Sequence, residues 1–303
     1  MKKELFFGAA TALITPFKCG KVDYTAFCQL IDYQINAGID AIVVGGTTGE
    51  AATLSDTERY SLFSIARERA KGRLKIIFGT GTNDTAIALA HTKAAEKIGC
   101  DGILVVTPYY NKGTPKGIIK HYQKIAKSTD LPIILYNVPS RTGVNLGLKE
   151  LEILAKEENI VGIKEASDSL ERLVSLAGFG NDLYLYAGND SAIYTVLSLG
   201  GRGVVSVASN ILPRAVSMIC HAVKENNNQE ALQCQLMLLP FIKALFLETN
   251  PAPIKYVMSK KWEGLNTPIL PKELRLPLSQ ITRKTKTVID ARIKDLIQSG
   301  IDG

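Results

Sequence analysis

Lys164 is the residue around which any chemistry of this chain has to be built, because it ends the apolar run Val161-Gly162-Ile163-Lys164. If that run is a β-strand, its period of two puts Gly162 and Lys164 on one face and Val161 and Ile163 on the other, toward covering helices. An amine inside an apolar sheet can attack a carbonyl carbon, since burial favours the neutral, nucleophilic form. The bland alternative is a lysine that bends outward to solvent at the strand end. Three further run ends weigh against it. The run Pro132 to Tyr136 continues as Asn137-Val138-Pro139-Ser140-Arg141-Thr142-Gly143, which sets a phenol and a guanidinium close together. The run ending at Val44 leads into Gly45-Gly46-Thr47-Thr48-Gly49-Glu50, where small residues let backbone amides approach a ligand and two hydroxyls stand ready as donors. The run ending at Val106 leads into Thr107-Pro108-Tyr109-Tyr110-Asn111, with two more phenols. Each motif alone has an ordinary structural explanation: a tight loop, an aromatic core plug, a subunit contact. Together they supply an amine nucleophile, phenols to move protons, hydroxyl and amide donors for one carboxylate and an arginine for a second. That is carbonyl chemistry. No metal or cofactor is expected, since His91, His121 and His221 stand in no ligand spacing to one another.

These residues need elements that bring strand ends together. Eight short runs recur: Thr11 to Ile14, Ala41 to Val44, Lys75 to Phe78, Ile103 to Val106, Pro132 to Tyr136, Val161 to Lys164, Leu183 to Tyr186 and Gly203 to Ser206. They are almost continuously apolar, as parallel strands buried on both faces are. Helical patterns lie between them, such as Asp23 to Ala37, Ser55 to Ala70, Thr85 to Ile98 and Thr114 to Lys127, and Ser55-Asp56-Thr57-Glu58 reads as a capping box. Strand–helix units of about thirty residues repeated without a break predict a closed (β/α)8 TIM barrel, whose active site stands at the carboxyl ends of the strands. An open doubly wound sheet is the alternative, but no GxGxxG follows any strand. The barrel domain is expected over 1–224. A helical C-terminal extension follows over 225–303, broken by Pro251, Pro253, Pro268, Pro271 and Pro277.

Composition is that of a globular protein. Of 303 residues 46% are apolar and 21% charged, which excludes disordered, collagen-like and coiled-coil classes. The net charge of +7 is scattered, with Arg283-Lys284-Thr285-Lys286 its densest run, so no nucleic-acid partner is expected. Five cysteines show no CxxC or Cys/His spacing and read as reduced thiols. The segment Leu5 to Ile14 imitates a leader peptide but reads better as the first strand, and Lys243 interrupts the best apolar stretch, Leu236 to Leu247. A cytoplasmic location with no membrane association is expected.

With these residues in place, the sequence resembles the pyruvate-dependent Schiff-base aldolases, the family typified by dihydrodipicolinate synthase and N-acetylneuraminate lyase. The resemblance rests on Gly-Gly-Thr-Thr-Gly-Glu (45–50), Val-Thr-Pro-Tyr-Tyr-Asn (106–111), Tyr-Asn-Val-Pro-Ser-Arg-Thr-Gly (136–143), Gly-Ile-Lys-Glu-Ala (162–166), Ala-Gly-Asn-Asp (187–190) and Glu-Thr-Asn-Pro-Ala-Pro-Ile-Lys (248–255), in order along nearly the whole chain. Arg141 favours the branch that joins pyruvate to L-aspartate 4-semialdehyde on the diaminopimelate route to lysine over the sialic-acid lyases. The resemblance implies that Lys164 forms an imine and that Thr47, Tyr110 and Tyr136 form a proton relay. It implies that Thr48 holds the pyruvate carboxylate, that Arg141 holds that of the semialdehyde, and that main-chain groups of Gly188 and Val205 line the pocket. It further implies a homotetramer of two tight dimers, with Tyr110 reaching a neighbouring subunit's relay. The rival readings are a sister lyase acting on a 2-keto-3-deoxy sugar acid and a catalytically silent binding barrel.

The same resemblance bears on feedback by lysine, which some members bind in a cleft between subunits through a histidine or another polar residue after the GTTGE loop and a glutamate after strand three. Here Asp56, Arg59 and Ile87 occupy the corresponding positions, with Asn83 and Tyr109 retained. Ile87 offers no acceptor to an ammonium, and Arg59 adds a like charge. Loss of one charge-assisted contact is worth about 1.5–3 kcal/mol, enough for a ten-fold loss of affinity. Inhibition by L-lysine is therefore predicted to be weak or absent in a titration of initial rate; inhibition in the sub-millimolar range would refute this reading.

Overall fold

The computed structural model describes residues 2–301. Eight strands carry the barrel: β1 (Gly8–Ala12), β2 (Ala41–Val44), β3 (Lys75–Gly79), β4 (Gly102–Val106), β5 (Ile133–Asn137), β6 (Ile160–Glu165), β7 (Tyr184–Ala187) and β8 (Gly203–Ser206). All pair in parallel with their chain neighbours, and β1 pairs with both β2 and β8, so the sheet closes. Each strand is followed by a helix: α1 (Tyr24–Asn36), α2 (Asp56–Ala70), α3 (Thr85–Ile98), α4 (Pro115–Ala126), α5 (Leu148–Leu154), α6 (Leu170–Ala177), α7 (Ile193–Ser198) and α8 (Pro213–Lys224). The (β/α)8 fold is thus the one the repeat of apolar runs predicted.

Local chemistry explains the helix starts. Ser55 and Glu58 form the reciprocal capping box at α2, Asp84 accepts from two amides at α3, and Thr114 precedes a proline at the first position of α4. The first strand begins three residues earlier than its apolar pattern suggested. Gly8, Ala9 and Ala10 carry little β propensity, yet Gly8 holds φ +111 and pairs with Gly203.

Two packed layers result. The outer one joins the strands to the helices, while the inner one fills the barrel with Ala10, Val43, Ile77, Leu104, Ile134 and others. Leu5 and Phe6 plug the amino-terminal end, where Phe6 stacks on Tyr186 at 4.6 Å and accepts from its hydroxyl at 2.8 Å. Val161 corrects the face assignment made from periodicity: it packs inside the barrel, not toward the helices. The register of β5 on β6 shifts there, with Ile133 opposite Ile160 but Ile134 opposite Gly162. The bulge adds one residue, so Val161 and Gly162 both turn inward while Ile163 and Lys164 keep their predicted sides.

After α8 the chain forms α9 (Asn228–Leu245), α10 (Ala252–Met258) and α11 (Arg283–Gln298). Among the described residues no helix is long and apolar enough to cross a membrane. This extension reaches back over the carboxyl ends of the strands through charged groups. Lys255, fully buried, donates to Glu50 and to the Glu273 carbonyl at 2.8 Å, and its ammonium lies 4.2 Å from the Phe17 ring centroid. Burial pushes the Lys255 ammonium down to about 8, opposed by the Glu50 carboxylate. The Arg275 amide bonds the other Glu50 oxygen at 3.1 Å, and its guanidinium donates to Glu58.

Removing one member of a buried ion pair leaves its partner uncompensated, at a cost of about 3–5 kcal/mol. Lys255→Met is predicted to lower the urea-unfolding free energy by that amount, and Lys255→Met with Glu50→Gln to lower it less than the single change. A single variant within about 1 kcal/mol of the parent would contradict this role.

Candidate active site

The carboxyl ends of the strands surround a cavity of about 550 Å³ whose walls include Thr47, Tyr136, Arg141 and Asn250. Lys164 is 6% exposed, and its Nζ lies 4.1 Å from the centroid of the Tyr136 ring. The two residues are direct cross-strand partners on β5 and β6. Lys164 does not itself line the cavity; it rests on Tyr136, which does. Among the described residues no carboxylate forms an ion pair with Lys164, although the buried Asp190 carboxyl feels its charge.

The loop after β2 carries Thr47 and Thr48 and is shaped by glycine. Gly45 holds φ +70, and a Cβ on Gly79 would come within 2.3 Å of the Gly45 carbonyl oxygen, so the loop folds tightly over β3. Its backbone bonds internally, from Glu50 to Thr47 at 3.0 Å and from Gly49 to Gly46 at 3.1 Å. Thr47 faces the cavity, while Thr48 is buried and accepts from the Asn250 side chain at 2.9 Å. Arg141 stands on the one-turn helix Pro139–Thr142 and donates to the Asn250 carbonyl at 3.0 Å. Asn250 therefore contacts both of the groups expected to hold carboxylates. Sequence reasoning quoted its motif and gave it no part.

Gly188 and Val205 do not line the cavity. The Gly188 amide donates to the Glu165 carbonyl at 2.7 Å, and a Cβ there would stand 2.6 Å from that of Ala166, so only glycine fits. Val205 is buried inside the barrel with Tyr136. Asp190, also missed, is buried beside them, and its Oδ2 accepts from the Val207 and Ala208 amides at 3.0 and 3.3 Å. Burial raises its carboxyl above the usual range, against hydrogen bonds from Ser206 and these amides.

Tyr110 is the exception. It is 88% exposed and does not line its own chain's cavity. Its backbone holds φ +71, a left-handed conformation that costs a non-glycine residue about 1–2 kcal/mol. No hydrogen bond joins Thr47, Tyr110 and Tyr136 among the described residues, so a single chain brings together Lys164, Tyr136, Thr47, Thr48 and Arg141 without Tyr110.

The cavity continues past the loop to Asp56, Arg59, Ile87 and Tyr109. There Asp56 is bonded to His91 at 2.9 Å, and Arg59 spends two donors on the Gly79 and Ala51 carbonyls. Ile87 presents its side chain 46% exposed.

Comparison with known proteins fits this geometry. Residues 5–296 match the Dihydrodipicolinate synthetase family. The chain belongs to that family. A 4-hydroxy-tetrahydrodipicolinate synthase of Alkaliphilus oremlandii (strain OhILAs) is 45% identical over 284 residues, 92% of this chain and 96% of the relative. The solved 4-hydroxy-tetrahydrodipicolinate synthase of Methylacidiphilum fumariolicum SolV superposes with a TM-score of 0.93 at 40% identity, covering 98% of each chain. The chloride-inhibited dihydrodipicolinate synthase of Acinetobacter baumannii, solved in complex with pyruvate, superposes at 0.91 with 36% identity, over 98% of this chain and 99% of that one. Membership of this enzyme family agrees with an arrangement built for carbonyl chemistry, and it removes the silent-barrel reading.

Proposed function

We propose that this chain condenses pyruvate with L-aspartate 4-semialdehyde to give 4-hydroxy-tetrahydrodipicolinate, through an imine on Lys164. The observation that carries the reading is the buried Lys164 ammonium against the Tyr136 ring at 4.1 Å, beside the cavity lined by Thr47 and Arg141. The Lys164 nitrogen attacks C2 of pyruvate, and the carbinolamine loses water. The resulting iminium withdraws electrons, so the methyl carbon gives up a proton and becomes an enamine. That carbon attacks the aldehyde of the second substrate, whose oxygen takes up a proton. The substrate's own amine then attacks C2, closes the ring and releases Lys164.

In this reading Tyr136 and Thr47 carry protons at C2 and at the aldehyde oxygen. Thr48 and the loop amides hold the pyruvate carboxylate, Arg141 holds that of the semialdehyde, and the backbones of Gly188 and Val205 line the pyruvate end. Tyr110 serves a neighbouring subunit, which gives its exposure and its strained backbone a use. Exposed Leu170 and Val174 on one face of α6 support further apolar contact between subunits, and the reading is a homotetramer of two tight dimers. Five free cysteines, three of them buried, suit a reducing cytoplasm.

Borohydride added with pyruvate is predicted to fix a covalent adduct on Lys164, found by peptide mass mapping. An adduct on another lysine, or none, would end the imine proposal. Arg141→Ala is predicted to leave that trapping intact while condensation, followed with the coupled downstream reductase, falls one to two decades. The loss corresponds to a charge-assisted contact of about 1.5–3 kcal/mol. If trapping falls as far as turnover, Arg141 holds pyruvate or the loop instead.

A further inference from the structure

Two motif residues stand beside the proposed chemistry without taking part in it. Asn137 follows Tyr136 on β5, and Glu165 follows Lys164 on β6. The pair Asn137–Glu165 is the next rung of the ladder after Tyr136–Lys164. By the alternation of a strand, the first rung points into the barrel and the next points out, as Leu135 and Ile163 do in the outer layer. Neither Asn137 nor Glu165 lines the cavity.

Their outward side is a polar network that is largely buried and reaches the surface at Asn145. The Asn137 amide nitrogen donates to the two Glu165 oxygens at 2.9 and 3.0 Å and to Asn145 at 2.8 Å, and its oxygen accepts from the Leu146 amide at 3.0 Å. Glu165 also accepts from the Ser167 amide at 2.9 Å and from Arg172 Nε at 2.7 Å. Arg172, on α6, spends a second donor on the Leu146 carbonyl at 2.7 Å. The Glu165 side chain is wholly buried and Asn137 is 0% exposed. A buried carboxylate is costly, and here every oxygen is satisfied.

This network sits where the strand pairing needs it. The bulge at Val161 uncouples the lower half of the β5–β6 ladder from the upper half, so the register at the top is not inherited from the bottom. A slip of one residue there would turn Lys164 out of the barrel. We propose that Asn137, Glu165 and Arg172 are positioning residues that lock β5 against β6 from outside the barrel, so that Lys164 and Tyr136 face each other inside it. The proposal rests on the imine reading of Lys164, and catalysis through such a nucleophile is sensitive to displacements of about 1 Å.

The test uses the full chain and the rate of borohydride-trapped pyruvate on Lys164, alongside kcat and the melting temperature. Asn137→Ala keeps the Glu165–Arg172 ion pair, so the chain is expected to fold, but trapping and kcat are expected to fall together by ten-fold or more. Glu165→Gln retains an acceptor for the Asn137 amide and is expected to keep at least a third of the parental trapping rate, whereas Glu165→Ala falls with Asn137→Ala. Folded Asn137→Ala enzyme that melts lower but traps pyruvate within two-fold of the parent would overturn the proposal, leaving the network a purely structural one. Should Asn137→Ala fail to fold, Arg172→Gln takes the same measurements under the same two outcomes. A parent that traps no pyruvate on Lys164 would instead sink the imine reading itself.

Discussion

The direct pairing of Tyr136 with Lys164 across two parallel strands is the constraint on which the rest of this molecule depends. A buried amine needs an apolar wall, a polar partner close by and a fixed direction. Barrel closure supplies all three at once, because it places eight strand ends in one ring and turns alternate side chains inward. The aromatic ring gives the ammonium a favourable face at 4.1 Å. Gly162, two residues below Lys164, leaves room for Tyr186, whose ring would lie 3.0 Å from any Cβ there. The small residue and the large ring are one packing decision.

The loop after β2 depends on a second set of charges. Glu50 ends the run of residues that carries Thr47 and Thr48, and it is held from below by Lys255 and from the side by the Arg275 amide. Asn250, on the same returning segment as Lys255, reaches Thr48 with its side chain and Arg141 with its backbone. The C-terminal extension is therefore built into the ceiling of the site. Its contacts are polar and buried, so they specify one loop position more sharply than apolar packing alone would.

Much of this was legible in the residues. The eight runs are nearly continuous and β-branched, so their number and order could be read directly, and α3 was found at the boundaries its pattern marked. Lys164, Tyr136, Thr47, Thr48 and Arg141 were legible because each is a polar group at the end of an apolar run. Three things were not. The bulge at Val161 leaves no trace in a short apolar sequence, since an inserted valine looks like any other strand residue. Asn250 and Glu50 act through partners up to 225 residues away, as Glu50 does with the Arg275 amide, and no local pattern announces such a bond. Tyr110 was expected in the site, but the fold of one chain leaves it facing solvent.

The central claim is that the Lys164 nitrogen becomes bonded to pyruvate beside Tyr136. A crystal structure of the enzyme grown or soaked with pyruvate tests it most directly. Continuous electron density from Lys164 Nζ to C2 of the ligand, with the ligand's carboxylate against the Thr47–Thr48 loop, is the expected result. Pyruvate bound without a bond to Lys164, or seated away from Tyr136, would contradict it.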